Sequence, residues 1–387
     1  MLMDIKSMSQ RIYLAVRKLA LWPVLILRRI TVIPTAEIQS ILFLRHDRIG
    51  DMVLSTAALK ALRRGYTHAK ITVLTSDRNV EILKHNPHVD EILIYKSMLW
   101  FIREIRPRGY DLVIDPFVTH ELKQALMTYL TGGKYRIGFD AAGRQVFFNV
   151  RGPIASEPKR MVDHLLDLVE LAGGKRKGCE PEVFLNDAEI ARAVEALAEK
   201  GVSSDEAIVA IHPGAHYPSQ RWPAERFGEL ARRVLGQLEA KVILLGGRDE
   251  KGLLGTVKNG AGKDLSIFSC ENIRELAALL SRCDLLVCNN SGPMHIASAL
   301  KIPTVSLIGP TVTPLWLPYG KNNAVMNKAF SCSPCNRAIC KDHQCMEAIT
   351  VDEVFEAVRS QIAHIGLKPK IRGRLTVKGK LSGFRVA

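Results

Sequence analysis

The stretch CDLLVCNNSGPMHIASALKIPTVSLIGPT, residues 283–311, decides the fold. Residues 285–288 are a short apolar run typical of a buried strand. Turn-forming residues follow at 289–293, and then a short helix is predicted over 294–300 and a second strand over 303–308. A strand, a tight turn, a helix and a strand in this order predict one βαβ unit of a parallel sheet.

The turn of this unit gathers groups that bind anions. Ser291 is predicted to cap the helix, and Pro293 suits its first turn. Backbone N–H groups, a hydroxyl and the imidazole of His295 would then point at the helix N-terminus, which favours a phosphate. The alternative is an ordinary capped turn with His295 on the helix surface, and spacing alone does not separate the two.

The same alternation of strands and helices fills most of the 387 residues and predicts an α/β protein with parallel sheets. A Gly-rich break at 173–178 interrupts it, so we place a linker near 175–185. In the first half, helices are predicted at 52–64 and 79–85, and further strands at 135–139 and 146–150. The predicted organisation is a basic amphipathic segment at 1–40, two Rossmann-like domains at 41–178 and 179–365, and a basic tail at 366–387.

The formal net charge of +15 is concentrated at the ends of the chain. Residues 1–40 carry a net charge of +4 and residues 368–387 one of +7, so the ends supply 11 of the 15 charges. A nucleic-acid binder would more often have a basic face on its folded body. Charge on flanking segments better suits an anionic membrane surface, so we expect a membrane partner and no nucleic acid.

The apolar run at 19–27 is too short to span a bilayer, which takes roughly 20 residues. It could instead lie in the membrane interface with Trp22 at headgroup level, or it could pack on the protein itself or form a disordered leader. No small-residue cleavage site follows it, so we expect no signal peptide and a cytoplasmic, peripherally membrane-associated protein. The eight cysteines therefore do not predict disulfides.

Ligands of open α/β sheets bind at the carboxyl ends of the strands, so the turns there deserve most weight. HDRIGD, residues 46–51, follows the first strand, and Gly50 allows close approach of a ligand. Asp51 is either a helix cap or a general base. The other turns are residues 212–223 (HPGAHYPSQRWP), 246–250 (GGRDE) and 289–295.

These four turns together resemble glycosyltransferase family 9, the ADP-heptose:lipopolysaccharide heptosyltransferases. The resemblance rests on LRHDRIGDMVLSTAALKALR, on HPGA and RWP at 212–223, and on the block from Asn290 to Trp316, and it covers roughly residues 41–365. It implies a GT-B fold, in which two Rossmann-like domains face a cleft. It also implies an inverting, metal-independent transfer from ADP-heptose to a hydroxyl of the lipopolysaccharide inner core, with no required cofactor.

The resemblance also implies roles for individual residues. Asp51 matches the proposed general base, and an Asp of ordinary pKa, about 3.9, would be ionised and ready to accept a proton. A helix N-terminus, Arg221 and a protonated His295 would take the place of a metal at the diphosphate. Gly50 and Arg48 lie on the acceptor side. The implied donor-binding residues are His212, Gly214, Gln220, Arg221, Asp249, Asn290, Ser291, Gly292 and His295.

One departure from the family pattern keeps other functions open. Many members carry Lys where this chain has Gln220, so a different nucleotide-sugar donor or glycan acceptor is an alternative. A second alternative is a catalytically silent protein that holds a glycan or nucleotide. The lack of G-x-G-x-x-G after a strand argues against a dehydrogenase, and a P-loop is also absent.

Four cysteines near the end of the second domain follow the spacing C-x2-C-x4-C-x4-C. Four thiols so close in sequence can hold zinc or an iron–sulfur cluster, although the spacing fits no standard zinc module. Reduced thiols, a structural metal and a disulfide pair all remain open. The residues concerned are Cys332, Cys335, Cys340 and Cys345.

Overall fold

The fold is seen in a computed structural model, which describes residues 33–119, 121–141, 143–154, 159–203, 205–262, 265–311 and 314–365. The predicted basic tail at 366–387 and all but the last eight residues of the predicted segment at 1–40 lie outside these ranges. Within them, no helix combines the length and the apolar character needed to cross a bilayer.

The first domain contains a six-stranded parallel sheet in the order β3-β2-β1-β4-β5-β6. Its strands read as apolar runs because both faces of the sheet are covered. They are β1 (Ser40–Leu44), β2 (Lys70–Thr75), β3 (Glu91–Ile94), β4 (Leu112–Asp115), β5 (Tyr135–Phe139) and β6 (Val150–Gly152). The helices around this sheet are α1 (Ile49–Gly65), α2 (Met98–Glu104), α3 (Leu122–Leu130) and α4 (Met161–Leu171).

Two predicted elements of this domain were wrong. The helix expected at 79–85 is only a 3-10 turn, Val80–Leu83, because Asn86 precedes a proline and such residues disfavour helical backbone. The strand expected at 146–150 begins only at Val150, since residues 144–147 form a 3-10 turn around the buried Arg144. The helix α1 also begins three residues earlier than predicted, at Ile49.

The second domain repeats this topology, with the order β12-β11-β10-β7-β8-β9. The strands are β7 (Ala207–His212), β8 (Ala240–Gly247), β9 (Ser266–Cys270), β10 (Leu285–Asn289), β11 (Thr304–Leu307) and β12 (Asn323–Met326). The helices are α5 (Asp187–Glu199), α6 (Ala224–Gln237), α7 (Lys251–Ala261), α8 (Ile273–Leu280), α9 (Gly292–Ala299), α10 (Gln344–Glu347) and α11 (Val351–Ile365). The predicted boundary at residue 178 falls between α4 and α5.

Three apolar clusters hold these layers together. One runs through both domains, from Phe43 under α1 to Met294 of α9. The other two cover the outer faces of the sheets, one under α2 and α3 and one under α6, α7 and α11. The continuous central cluster means that the two domains share buried apolar surface, which fixes their relative position.

In each sheet the strand order reverses at one point, between β1 and β4 and between β7 and β10. The crevice at such a switch point is the usual ligand site of this architecture. The two switch points lie against each other, because α1 and α9, the helices that follow β1 and β10, touch. A Cβ atom on Gly50 would lie 2.7 Å from Cδ2 of His295, and one on Gly292 would lie 3.2 Å from Cγ2 of Ile49.

Candidate active site

Asp51 is the acidic residue at the start of α1. It is 9 % exposed and is the third residue of the helix, whereas Arg48 occupies the N-cap position without capping through its side chain. The alternative that Asp51 is the N-cap residue is therefore wrong. Its carboxylate lies within the buried part of the first-domain switch point and is available for chemistry.

Arg45 anchors the surroundings of this carboxylate. Its buried guanidinium lies 3.8 Å from Oδ1 of Asp51 and donates to Asp47 at 3.0 Å. It also donates to the carbonyl of Pro116 and stacks over the ring of Phe117, so the loops after β1 and β4 are held together. The sequence did not predict this role of Arg45.

Burial raises the pKa of Asp51 to about 7, and the neighbouring Asp47 adds to the effect. The charges of Arg45 and Arg48 act in the opposite direction but do not cancel it. The expectation of an ordinary, fully ionised Asp51 is therefore wrong, because its side chain is buried beside another carboxylate. A carboxylate with a pKa near neutrality is a stronger proton acceptor than one at about 3.9.

Arg48 reaches across the cleft instead of lying only on its first-domain side. Its guanidinium donates to the hydroxyl of Tyr217 at 3.1 Å and stacks over the Tyr217 ring. Burial, together with the positive charges of Arg48 and Arg78, lowers the pKa of the adjacent His216. The guanidinium groups of Arg48 and Arg78 thus both act on this end of the cleft, where they could attract an anionic ligand. Tyr217 and Arg78 were not predicted as site residues.

On the second-domain side, the N-terminus of α9 lacks a side-chain cap. Ser291 is the N-cap residue, as predicted, but its hydroxyl donates to the carbonyl of Asn289 and caps no helix N–H. Pro293 has no N–H and the Met294 N–H donates to the Ser291 carbonyl at 3.1 Å, so the first-turn N–H at the positive end of the helix that could meet an anion is that of Gly292. Asn290 beside it donates to the Thr311 hydroxyl at 2.8 Å, which fixes the adjoining loop.

His295 lies in the first turn of α9 and is 4 % exposed. Burial lowers its pKa to about 4, so the ring is neutral at physiological pH. The expectation of a protonated His295 is therefore wrong, as is the alternative of a histidine on the helix surface. Within the described residues its Nδ1 atom has no hydrogen-bond partner, so the ring can still donate to or accept from a ligand.

His212 and Gly214 lie beside Glu250 on the second-domain side of the cleft. The Nε2 atom of His212 is 3.5 Å from Oε2 of Glu250, which also accepts from the N–H of Gly247. Burial acts to raise the pKa of Glu250, but the contact with His212, the Gly247 N–H and the charge of Arg221 together outweigh it, so the pKa lies below its ordinary value. Asp249, the acid predicted to bind the donor, is exposed. The acid that joins the other site residues is Glu250.

Replacing Gly214 with Ala should lower the free energy of unfolding by about 1–3 kcal/mol, because the new methyl group overpacks the contact with Glu250. A Cβ atom there would lie 1.7 Å from Oε1 of Glu250. Urea denaturation measures the change. Gly236→Ala is the matched control: it has open space around it in α6, so it should stabilise by roughly 0.5–1 kcal/mol. Equal effects of both variants would contradict the packing described here.

Asn289 organises the loop after β7, although it was not predicted because it ends an apolar strand. Its buried side chain accepts from the N–H of Trp222 and donates to the carbonyl of Pro213. Within this loop, the Arg221 guanidinium donates to the carbonyl of Ala215 at 2.9 and 3.1 Å. Gln220 is buried beside it. The predicted residues Gln220 and Arg221 therefore lie in one loop, whose conformation these hydrogen bonds fix.

The loop with the four cysteines packs behind these groups. The Ser219 N–H donates to the carbonyl of Ala338, and the His343 ring contacts the carbonyl of Ser219 at 3.0 Å. Burial raises the pKa of Cys345, and the other three thiols add to the effect, which places them near one another. In the part of the chain that the structure describes, however, no three metal-ligating side chains converge on one point.

The architecture and the site define a class of protein: two Rossmann-type domains whose switch points meet, with a buried carboxylate on one side and an open helix N-terminus on the other. The family model of glycosyltransferase family 9 (heptosyltransferase) matches residues 98–346. The chain belongs to this family and has its GT-B fold. The matched range includes Ser291 and His295 and begins after Asp51.

Individual relatives agree with this assignment. A lipooligosaccharide heptosyltransferase 2 of Campylobacter jejuni is 31% identical over 160 residues, which cover 39% of this chain and 50% of that protein. The chain thus spans about half the length of this relative. Among solved structures, a family 9 glycosyltransferase of Veillonella parvula has a TM-score of 0.75 at 21% identity, over 84% of this chain and 98% of that one. The E. coli ADP-heptose lipopolysaccharide heptosyltransferase II has a TM-score of 0.66 at 21% identity, covering 84% and 99%.

Proposed function

We propose that the protein is an inverting glycosyltransferase that transfers a heptose from ADP-heptose to a hydroxyl of the lipopolysaccharide inner core. Family membership and the names of the relatives support this assignment. The observation that carries it is the meeting of the two switch points. The helix that carries Asp51 in its first turn touches the helix whose uncapped N-terminus would bind a diphosphate.

The second domain would hold the donor. The Gly292 N–H and the positive end of α9 would bind the diphosphate, with Ser291 and the neutral ring of His295 beside them. Arg221 would add positive charge near the leaving group, and the carboxylate of Glu250 would accept from ribose hydroxyls. These groups would stabilise the charge that develops on the departing nucleoside diphosphate, so a divalent cation would not be needed for that purpose.

The first domain would hold the acceptor. In an inverting transfer, the acceptor oxygen attacks the anomeric carbon while the bond to the diphosphate breaks on the opposite side. Asp51 would take the proton from the acceptor hydroxyl, and its raised pKa suits that role. Arg48 and Gly50 would border the acceptor at the mouth of the cleft, where Arg48 already contacts Tyr217.

We further propose that the enzyme works at the cytoplasmic face of the inner membrane as a peripheral protein. An inner-core acceptor is attached to a lipid, so the enzyme must work at a bilayer surface. The net charges of +4 at residues 1–40 and +7 at residues 368–387 would favour an anionic leaflet.

A second candidate keeps the chemistry but changes the sugar donor. Its support is Gln220, which is buried in the donor loop at the position where a lysine is expected. An amide provides no charge to hold a phosphate or a charged sugar, so a different nucleotide sugar would fit such a site. A silent binding protein is the third possibility, and Asp51 at the cleft argues against it.

Calorimetric titration with ADP, UDP and GDP, followed by a transfer assay with ADP-heptose, tests the proposal. We expect binding of ADP alone among the nucleotides, and release of ADP when a heptosyl acceptor is added. Preference for UDP or GDP would overturn the donor and favour the second candidate. Binding of ADP-heptose without turnover on any inner-core acceptor would favour the binding protein.

Chelation should leave the transfer rate unchanged, because protein groups would provide the positive charge at the diphosphate. The measurement is turnover after dialysis against EDTA under reducing conditions, with and without added Mg²⁺. A loss of activity that Mg²⁺ restores would contradict the metal-independent mechanism. Elemental analysis of the same samples separates a structural metal on the four cysteines from reduced thiols. A metal retained there with unchanged turnover would be structural.

A further inference from the structure

The outer face of the first domain carries a concentration of exposed apolar side chains. Seven large hydrophobic residues in the described ranges are strongly exposed, and four of them lie on the short helices α2 and α3. The other three, Leu171, Val194 and Ile339, lie on separate elements. The four on α2 and α3 are Leu99 at 58 %, Ile102 at 37 %, Leu126 at 39 % and Tyr129 at 53 % exposure.

These two helices form one surface. Phe101 of α2 and Met127 of α3 are buried in the same apolar cluster on the sheet, so both helices lie on the same side of it. Their C-terminal ends are neighbours, because a Cβ atom on Gly132 would lie 4.0 Å from Cγ of Arg106. In each helix the two exposed residues are three apart and share one side of the helix. We call this surface, defined by Leu99, Ile102, Leu126 and Tyr129, the outer apolar face.

Basic side chains surround the outer apolar face. Lys96, Arg103 and Lys123 are exposed around it, and the guanidinium of Arg136 stacks over the Tyr129 ring with its carbon 5.4 Å from the ring centroid. Over residues 96–108 there are four basic residues and one acid, Glu104, and within the described ranges only Arg108 of the four is paired with an acid outside this stretch, Glu91 at 2.7 Å. Long basic side chains around exposed aliphatic and aromatic groups are typical of surfaces that enter the headgroup region of a bilayer.

The outer apolar face also connects to the cleft. The helices α2 and α3 follow β3 and β4, so they start at the same edge of the sheet as α1 with Asp51. At this edge the Lys123 ammonium lies 5.9 Å from the centre of the Tyr95 ring, and that ring lies 5.1 Å from the ring of His46. A glycan attached to a lipid in the bilayer could therefore reach the first-domain side of the cleft directly.

We propose that α2 and α3 dock the protein on an anionic lipid bilayer, with the four apolar side chains inserted among the headgroups. The biological reason for this docking rests on the proposed function, since docking would bring the cleft to a lipid-linked acceptor. The docking itself depends only on the surface. A second copy of the chain is a poorer fit, because two such basic faces would repel each other.

Vesicle cosedimentation of the full-length protein tests this docking. The vesicles contain phosphatidylcholine with about a quarter phosphatidylglycerol, and the buffer contains about 0.5 M NaCl to screen attraction through the basic chain ends. We expect Leu99→Ser with Tyr129→Ser to weaken binding about tenfold or more, because two inserted side chains are lost. The matched control is Leu171→Ser with Val194→Ser, which removes two exposed apolar groups elsewhere and should leave binding unchanged.

Unchanged vesicle binding by the Leu99→Ser/Tyr129→Ser protein would overturn the proposal and assign docking to other segments, such as residues 19–27. Loss of a concentration-dependent dimer in light scattering, without loss of vesicle binding, would overturn it in favour of a second copy. Turnover on a delipidated, water-soluble acceptor separates this proposal from the proposed function. The variant should keep that turnover while losing it on acceptor in vesicles. Absence of turnover in both variant and wild type would refute only the proposed function.

Discussion

Replacing Asp51 with Asn should lower the rate of heptosyl transfer by about 10²–10⁴-fold while leaving ADP affinity within about twofold. The amide keeps the size of the side chain but cannot take the proton from the acceptor hydroxyl. The donor groups lie on the other domain, so they keep their positions. Steady-state kinetics and calorimetry with ADP measure the two quantities. The Asp205→Asn protein is the control and should retain its transfer rate, because Asp205 is exposed and lies before β7, at the edge of the sheet away from the site.

The pH dependence of the same proteins provides a second readout. Wild-type activity should rise as the pH passes through about 7, because Asp51 must be ionised to act. Asp47→Asn should move this rise to lower pH, because Asp47 helps to raise the pKa of Asp51. A pH profile of Asp47→Asn identical to that of wild type, or full activity in Asp51→Asn, would exclude Asp51 as the base.

Stability should change with pH in the opposite sense. A carboxyl whose pKa rises on folding, here from 3.8 to about 7, binds its proton more tightly in the native state. Its contribution to stability is complete below 3.8 and is lost as the pH rises through about 7. Asp51→Asn removes this loss, so relative to wild type the variant should gain stability between pH 4 and pH 8. Urea denaturation at several pH values measures the difference.

Replacing Arg144 with Met should lower the free energy of unfolding by about 3–5 kcal/mol, because it leaves the carboxylate of Asp115 buried without its partner. Both side chains are 0 % exposed, and the guanidinium contacts the two carboxylate oxygens at 2.8 and 2.9 Å. Arg144 also donates to the carbonyl of Phe117, whose ring lies against Arg45. The variant should therefore also disturb the site around Asp51.

Chemical denaturation of Arg144→Met and of Asp115→Asn/Arg144→Met tests this explanation. The double variant should recover part of the lost stability, since it removes the unpaired charge. The exposed pair Arg359 and Glu356 is the control, and Arg359→Met should change stability by less than about 0.5 kcal/mol. If Arg144→Met and Arg359→Met changed the free energy of unfolding by similar amounts, the buried pair would not stabilise the protein as predicted.

The α/β class was predictable because the spacing of apolar residues and the turn-forming residues between elements are local features of the sequence. The βαβ unit at 283–311 showed both, and its strands and helix are present. Element ends were less predictable where distant side chains decide them. The turn at 144–147 depends on a bond to Asp115, which lies almost thirty residues earlier. The edge strand β12 was not predicted at all, because its register is set by pairing with β11.

The sequence predicted which turns form the site, but not the protonation states of the residues in those turns. The sequence places Asp51 and His295 after strands, yet only the packing of two domains buries them and moves their pKa values in opposite directions. The contacts of Asn289 and Glu250 could not be predicted for a related reason. Each depends on a contact between residues far apart in the sequence. Asn289 accepts from the Trp222 N–H across the switch point between β7 and β10, and Glu250, which follows β8, lies beside His212 at the end of β7.

The contact between Gly50 and His295 has a consequence for recombining these enzymes. Each half of the chain has the same strand order, which makes the halves look interchangeable between family members. The junction that decides compatibility is not the linker, however, but a glycine in one half that leaves room for an imidazole in the other. A chimera whose first half carries any larger residue at position 50 would push His295 aside. Parents for such hybrids should therefore be chosen so that glycine at position 50 and histidine at position 295 occur together. Natural exchange of halves between family members would have to keep the same two residues together.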